Sequence, residues 1–237
     1  MKPEELSRQI IDYCKANANP ANVAKYSRFF KGEFNSWGLS QPQMQDLTTQ
    51  LLNNTDIDLP LVLKTMPLLM KSGKYEETSF GLLLINRMRK QYFPKLLDEI
   101  SAWFPAGISN WAHADILAMW ILPALIENGH VTENSFIPWL KSPFSFQRRC
   151  VPVTYIKSLK AQNSPEKLFS NIEPLMSDPV REVQQGTGWF LREAWKLYPE
   201  ATEQFLLKWK DTAPRLIYQY ACEKMDKTYR LKFRKSK

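Results

Sequence analysis

Residues 109–122 read SNWAHADILAMWIL, and within them the Asp115 carboxylate opens an apolar run. Carrying an unpaired carboxylate into an apolar interior is costly, so Asp115 needs a reason to be there. Trp111 precedes it by four positions, one helical turn, which sets both side chains on one side of a helix. Two readings are open. Asp115 is either a first-turn acid stabilised by the helix dipole, an effect of ~0.3–1 kcal/mol, or a carboxylate held for chemistry, as a base or as a stabiliser of positive charge. It follows Ser109, the polar residue expected to start this helix, by six positions, which is late for a cap.

Two further features carry possible chemistry. Arg148-Arg149 is the sole Arg-Arg pair in the chain; it is either an ion-paired or solvated face, or a phosphate contact suited to the guanidinium fork. The stretch GTGWFLRE places Gly186 and Gly188 before Trp189, with Arg192 three residues later as a second possible phosphate contact. Glycine inside a helix costs ~1 kcal/mol relative to alanine, so two so close together mark a packing or access requirement. Trp111 and Trp189 can equally be core residues. His113 lies two residues from both Trp111 and Asp115, faces away from them on a helix, and has a surface or packing role.

Other reaction templates are absent: no GxGxxG followed by an acid, no GxxxxGK[ST], no HExxH and no GxSxG occurs. With Cys14, Cys150 and Cys222 far apart and only His113 and His130 available, neither a disulfide framework nor a metal centre is expected, and a reducing compartment is. The N-terminus MKPEELSRQIIDYC has no apolar signal core, and the longest apolar stretch, Ile116 to Ile126, is eleven residues with Pro123 inside, short of the ~20 of a membrane span. A soluble cytoplasmic protein is expected. The formal charge of +8 fits a polyanionic partner, but the last fourteen residues, KMDKTYRLKFRKSK, carry seven Lys or Arg and one Asp, leaving only +2 for the rest. Any anion-binding face on the body must come from segregation of charge.

The elements that must position these residues are helices. No strand-like alternation bounded by hairpin signals appears. Polar starts recur at Ser40, Ser72, Ser109, Ser142, Asp178 and Thr212, spaced by 32, 37, 33, 36 and 34 residues. Ser142-Pro143 and Asp178-Pro179 place an acceptor at the N-cap and proline at the first helical position. SGKYEETSFGLLLI, SPFSFQRRCVPVTYI and DPVREVQQGTGWFL then each run from a polar turn into an apolar helix, with shorter amphipathic stretches such as EKLFSNIEPLM between. Two helices per period describe a right-handed all-α solenoid of about six HEAT-like pairs, with residues 1–225 as one domain and 226–237 as a basic tail. Equal offsets from these starts put Asp115 and Arg148 at equivalent positions; matching Phe146-Gln147 to Val183-Gln184 brings Trp189 to the same face.

With these residues in this order, the chain resembles the AlkD family of DNA alkylation-repair glycosylases, built of HEAT-like repeats. The resemblance runs through residues 20–225 and is most specific in Trp111-x-x-x-Asp115, Phe146-Gln147-Arg148 and Gly188-Trp189-Phe190-Leu191-Arg192-Glu193, with weaker similarity at Ala24-Lys25-Tyr26 and Gly38-Leu39-Ser40-Gln41-Pro42. It implies that Asp115 is the catalytic carboxylate, that Trp111 and Trp189 hold the lesion-bearing deoxyribose, that Arg148 contacts DNA and that Tyr26 lies near the lesion. Asn110 departs from the pattern, since relatives often place a second tryptophan there.

The resemblance further implies a monomer that grips double-stranded DNA along a concave basic surface and releases alkylated purines without cofactor or metal, and without turning the base into a pocket. A purine alkylated at N3 or N7 is cationic and leaves readily; what needs stabilising is the positive charge developing on the sugar. Two other expectations stay open beside this one: a non-catalytic module of the same fold that binds DNA or protein, and a relative acting on a bulky adduct. An anion in a phosphate-binding groove separates catalysis from mere binding, because a binding surface has no need of it.

Overall fold

The computed structural model describes residues 1–236; Lys237, the last residue of the expected tail, lies outside the described residues. Every element among them is helical and none is a strand, so the chain is all-α, as its patterning requires. None of the helices described is long and apolar enough to cross a membrane. The chain divides into two compact units, Met1–Ile116 and the residues from Leu117 onward.

The first unit holds α1 (Pro3–Ala16), α2 (Pro20–Ser27), α3 (Gln41–Leu52), α4 (Leu59–Met70), α5 (Tyr75–Arg87), α6 (Leu96–Ala106) and α7 (Trp111–Ile116). On α1 the buried apolar positions are Leu6, Ile10 and Cys14, one stripe at helical spacing. That stripe packs on α4 and α5, whose Val62, Met66, Phe80 and Leu84 are fully buried. Two acids at the start of α5 are buried with them and are satisfied by hydrogen bonds. Glu76 accepts from Ser36 Oγ at 2.5 Å and from the amides of Trp37, Gly38 and Leu39; Glu77 accepts from the Trp37 indole and from Ser72 Oγ. Gly38 allows this bend: its φ is +82°, and a Cβ there would lie 2.2 Å from the Asn19 carbonyl oxygen.

The second unit holds α8 (Leu122–Glu127), α9 (Ser145–Ser158), α10 (Glu166–Ile172), α11 (Arg181–Leu197), α12 (Pro199–Trp209) and α13 (Arg215–Ala221), with a π turn at Leu117–Ile121 and 3-10 turns at Glu133–Lys141, Glu173–Ser177 and Tyr229–Phe233. Pro123 has no N–H to return to Met119, and the helical hydrogen bonding widens just before it. α11 is the centre of this unit, with α9 on one flank and α13 on another. Two glycines set those approaches. A Cβ on Gly186 would stand 3.1 Å from Arg149 Cγ on α9, and one on Gly188 would stand 2.6 Å from both the Ile217 carbonyl oxygen and Tyr220 Cβ on α13. The glycine pair therefore serves helix packing.

The recurring polar starts are real but mostly lie ahead of the helices they announce. Ser40 caps α3 directly, in a capping box with Gln43. Ser72, Ser142 and Asp178 instead accept from the amides of Lys74, Phe144 and Val180, two residues on, at 3.1, 3.1 and 2.9 Å. Each closes a short turn, and the helix begins three residues after it, at Tyr75, Ser145 and Arg181. Pro143 and Pro179 thus sit in the turn and not at the first helical position. Thr212 likewise precedes α13 by three residues.

Candidate active site

In the first unit, α7 presents Trp111 as its first residue and Asp115 as its fifth. The expected cap, Ser109, is displaced by Asn110: its Oδ1 accepts from the His113 amide at 2.9 Å and its carbonyl from Ala114. Asp115 lies a turn beyond those amides. It is half-buried, while Trp111 is 39% exposed. Residues four apart on a helix set their Cβ atoms about 5–6 Å apart, so the carboxylate and the accessible indole occupy consecutive turns of one side.

Aromatic packing fixes the indole. Trp111 stacks on Phe30 with ring centroids 5.4 Å apart, Phe30 stacks on Phe34 at 4.2 Å, and Tyr75 meets both rings. The Trp111 Nε1–H donates to the Phe29 carbonyl oxygen at 3.1 Å. The segment after α2 is thereby tied to the start of α7. Tyr26, on α2, is half-buried with the Lys25 ammonium 5.8 Å from its ring centroid.

His113, on the opposite side of α7, is buried. Its Nδ1 is 2.8 Å from the Asn110 amide nitrogen, and its Nε2 is 3.0 Å from both the Tyr75 carbonyl oxygen and Ser79 Oγ. A donor at Nδ1 and a carbonyl at Nε2 assign the proton to Nε2. Burial, outweighing the hydrogen bond to Tyr75, pushes its pKa down to about 4. This is the packing role expected for His113, and it gives Asn110 a purpose: the residue that departs from the family pattern both caps α7 and orients the histidine.

The second unit sends its arginines to different places. Arg148 is clamped by Asp178, with Nε–Oδ2 2.7 Å and Nη2–Oδ1 3.3 Å, and its Nη1 donates to the Ser142 carbonyl at 2.7 Å. The pair is largely shielded, the side chains being 14% and 7% exposed. Arg149 is buried; its stem lies against Gly186 and Nη1 donates to the Glu182 carbonyl at 2.7 Å. A guanidinium so placed packs α9 onto α11. Trp189 is half-buried on α11. Arg192, three residues on, donates to Glu193 at 3.0 Å and Glu223 at 2.5 Å.

Counted from the first helical residue, Asp115 is fifth on α7 and Gln185 fifth on α11, but Arg148 is fourth on α9. The equal offset of Asp115 and Arg148 slips by one because Asn110, not Ser109, caps α7. Sequence reasoning also missed Phe30, Phe34 and Tyr75 as the setting of Trp111, and Asp178 as the partner of Arg148. Asp178 was readable as an acceptor, but its ion pair spans 30 residues with no periodic trace. Among the described residues no three His, Cys, Asp or Glu side chains gather in a metal-binding group.

The model of the DNA alkylation repair enzyme family matches residues 10–225. The chain belongs to that family. DNA is accordingly its partner, and repair of alkylated DNA its role as an enzyme. Two solved structures share the family fold. A protein from Enterococcus faecalis described as a predicted DNA alkylation repair enzyme is 17% identical, with a TM-score of 0.68, covering 89% of this chain and 98% of its own. AlkD2 from Streptococcus mutans is 18% identical, with a TM-score of 0.57, covering 87% and 98%. At these identities the likeness speaks to the fold alone. No curated protein matches the chain.

Proposed function

We propose that this chain is a monofunctional DNA glycosylase that hydrolyses the glycosidic bond of cationic alkylpurines, such as 7-methylguanine and 3-methyladenine, in duplex DNA. The observation that carries the reading is Asp115 on α7: a half-buried carboxylate one turn beyond the Asn110 cap and one turn from an accessible indole held by Phe29 and Phe30.

In the reaction, the C1′–N bond breaks and its electron pair returns to the purine, cancelling the charge that alkylation placed there. Positive charge grows on the sugar as the bond lengthens, and an anionic Asp115 stabilises it electrostatically. The same carboxylate orients a water, which attacks C1′ and gives up a proton to it, leaving an abasic sugar and a neutral alkylated base. The Trp111 and Trp189 faces, negative at their centres, pack against the sugar C–H bonds. Because the leaving base is already cationic, the scheme calls for no metal, no cofactor and no pocket that reads the base, so lesion charge decides the substrate. Arg148 and Tyr26 are assigned to the DNA around the lesion.

Incubating the full chain with duplex containing 7-methylguanine and separating the freed bases tests the reading. Release of 7-methylguanine that persists in chelator supports it. Tight duplex binding with no release of any alkylated base would instead leave a non-catalytic member of the fold.

A further inference from the structure

The basic tail is folded back on the second unit and completes a cavity there. Phe233 is fully buried, and the Arg215 Nη1–H donates to its carbonyl oxygen at 3.0 Å. Tyr229 donates to both oxygens of Glu203, at 2.7 and 2.9 Å, and Lys232 pairs with the same carboxylate. Between this turn and α13 lies a cavity of about 220 Å³ lined by Arg215, Tyr218, Gln219, Cys222, Arg230 and Arg234. Three arginines thus line one space, the Arg215 guanidinium also lying over the Tyr218 ring with its carbon 5.2 Å from the centroid.

The carboxylates nearby pair with other groups. Glu203 is taken by Tyr229, Lys232 and the Trp195 indole, and Asp211 accepts from the Ser236 amide and hydroxyl at 2.6 and 3.3 Å. Among the described residues no ion pair is formed by Arg215, Arg230 or Arg234, whereas Arg148 and Arg192 in the same unit are each matched to carboxylates. All three arginines are solvent-exposed, and their like charges make the space between them attractive to an anion. Cys222 is not that anion: burial raises its thiol pKa to about 11 despite the arginines beside it.

We infer that this cavity is a phosphate site, in which Arg230 and Arg234 close on an oxyanion from the tail side and Arg215 from α13. Guanidinium forks match phosphate oxygens in pairs, and the space admits a tetrahedral oxyanion with a few waters, each needing ~30 Å³. The phosphate comes either from a DNA backbone or from a free phosphate. This inference is separate from the chemistry assigned to Asp115, and its test does not read base release.

The test uses the full chain and its Arg230→Gln/Arg234→Gln variant, which spares the Arg215–Phe233 contact. Thermal unfolding is followed in increasing sodium phosphate, with sodium chloride at matched ionic strength as control. A site filled only in the folded state gives a rise in Tm specific to phosphate, at low concentration in the parent and absent in the variant. No phosphate-specific rise in the parent, or an equal rise in the variant as general salting-out by a kosmotropic anion produces, would overturn the inference. Duplex binding then identifies the source. A log–log salt slope lowered by about one in the variant assigns a backbone phosphate; an unchanged slope alongside the lost phosphate response assigns free phosphate. Both uphold the site.

Discussion

His113 lies flat against Tyr75, their ring centroids 4.9 Å apart and their planes 8° from parallel. Since Tyr75 also meets Phe30 and Phe34, a neutral imidazole braces one side of the aromatic group while Trp111 stacks on the other, through Phe30. The residue two positions from Asp115 thus acts on the site through packing alone.

That arrangement makes stability depend on pH. The folded ring stays neutral down to about pH 4, whereas its ordinary pKa is 6.5. Between these values the unfolded chain binds more protons, so stability rises with pH across that window and is lost as pH falls through it. The full excursion is on the order of 3 kcal/mol. His113→Gln, which keeps a donor but does not titrate there, is expected to flatten the Tm profile between pH 4 and 6.5. A variant profile as steep as the parent's would show that other groups govern the acid limb.

Asp115→Asn removes the charge and keeps the shape. It is expected to bind methylated duplex within about twofold of the parent while base release falls about 100-fold, the loss of ~3 kcal/mol of charge stabilisation. Single-turnover release from 7-methylguanine duplex measures this directly. Release at the parental rate would remove Asp115 from the mechanism.

The two glycines before Trp189 separate by what a methyl would strike. At Gly188 it meets backbone and Cβ atoms of α13 at 2.6 Å, which cannot turn aside; Gly188→Ala should cost about 1–3 kcal/mol by overpacking. At Gly186 the nearest atom is Cγ of the Arg149 stem, 3.1 Å away, and a side chain can give. Gly186→Ala should therefore cost less. Urea midpoints for the two variants, at equal m-values, order them.

The helical class and the rhythm of helix starts were legible because they rest on local signals, namely an acceptor, a proline and an apolar stripe. The starts ran early where the acceptor spent itself on a turn, as Ser142 does with Phe144, an outcome that depends on whether the next amide is free to close it. Trp111 and Asp115 were legible as a pair because four residues is a helical turn. Their setting was not. Phe29 and Phe30 reach Trp111 across some 80 positions, and the fates of Arg148 and Arg149 diverge by one residue, since the side of α9 each takes decides between Asp178 and the Gly186 cleft.

Arg148 must serve Asp178 before it serves DNA. Arg148→Ala strands a carboxylate that is 7% exposed, and breaking such a shielded pair costs about 3 kcal/mol. If the guanidinium also meets a phosphate, the same variant lowers the log–log salt slope of duplex binding by about one. Asp178→Asn separates the two effects, because it loses the pair and keeps the cation. It should lose a similar amount of stability with its salt slope intact. Equal slopes in all three proteins would confine Arg148 to holding α9 against the turn before α11.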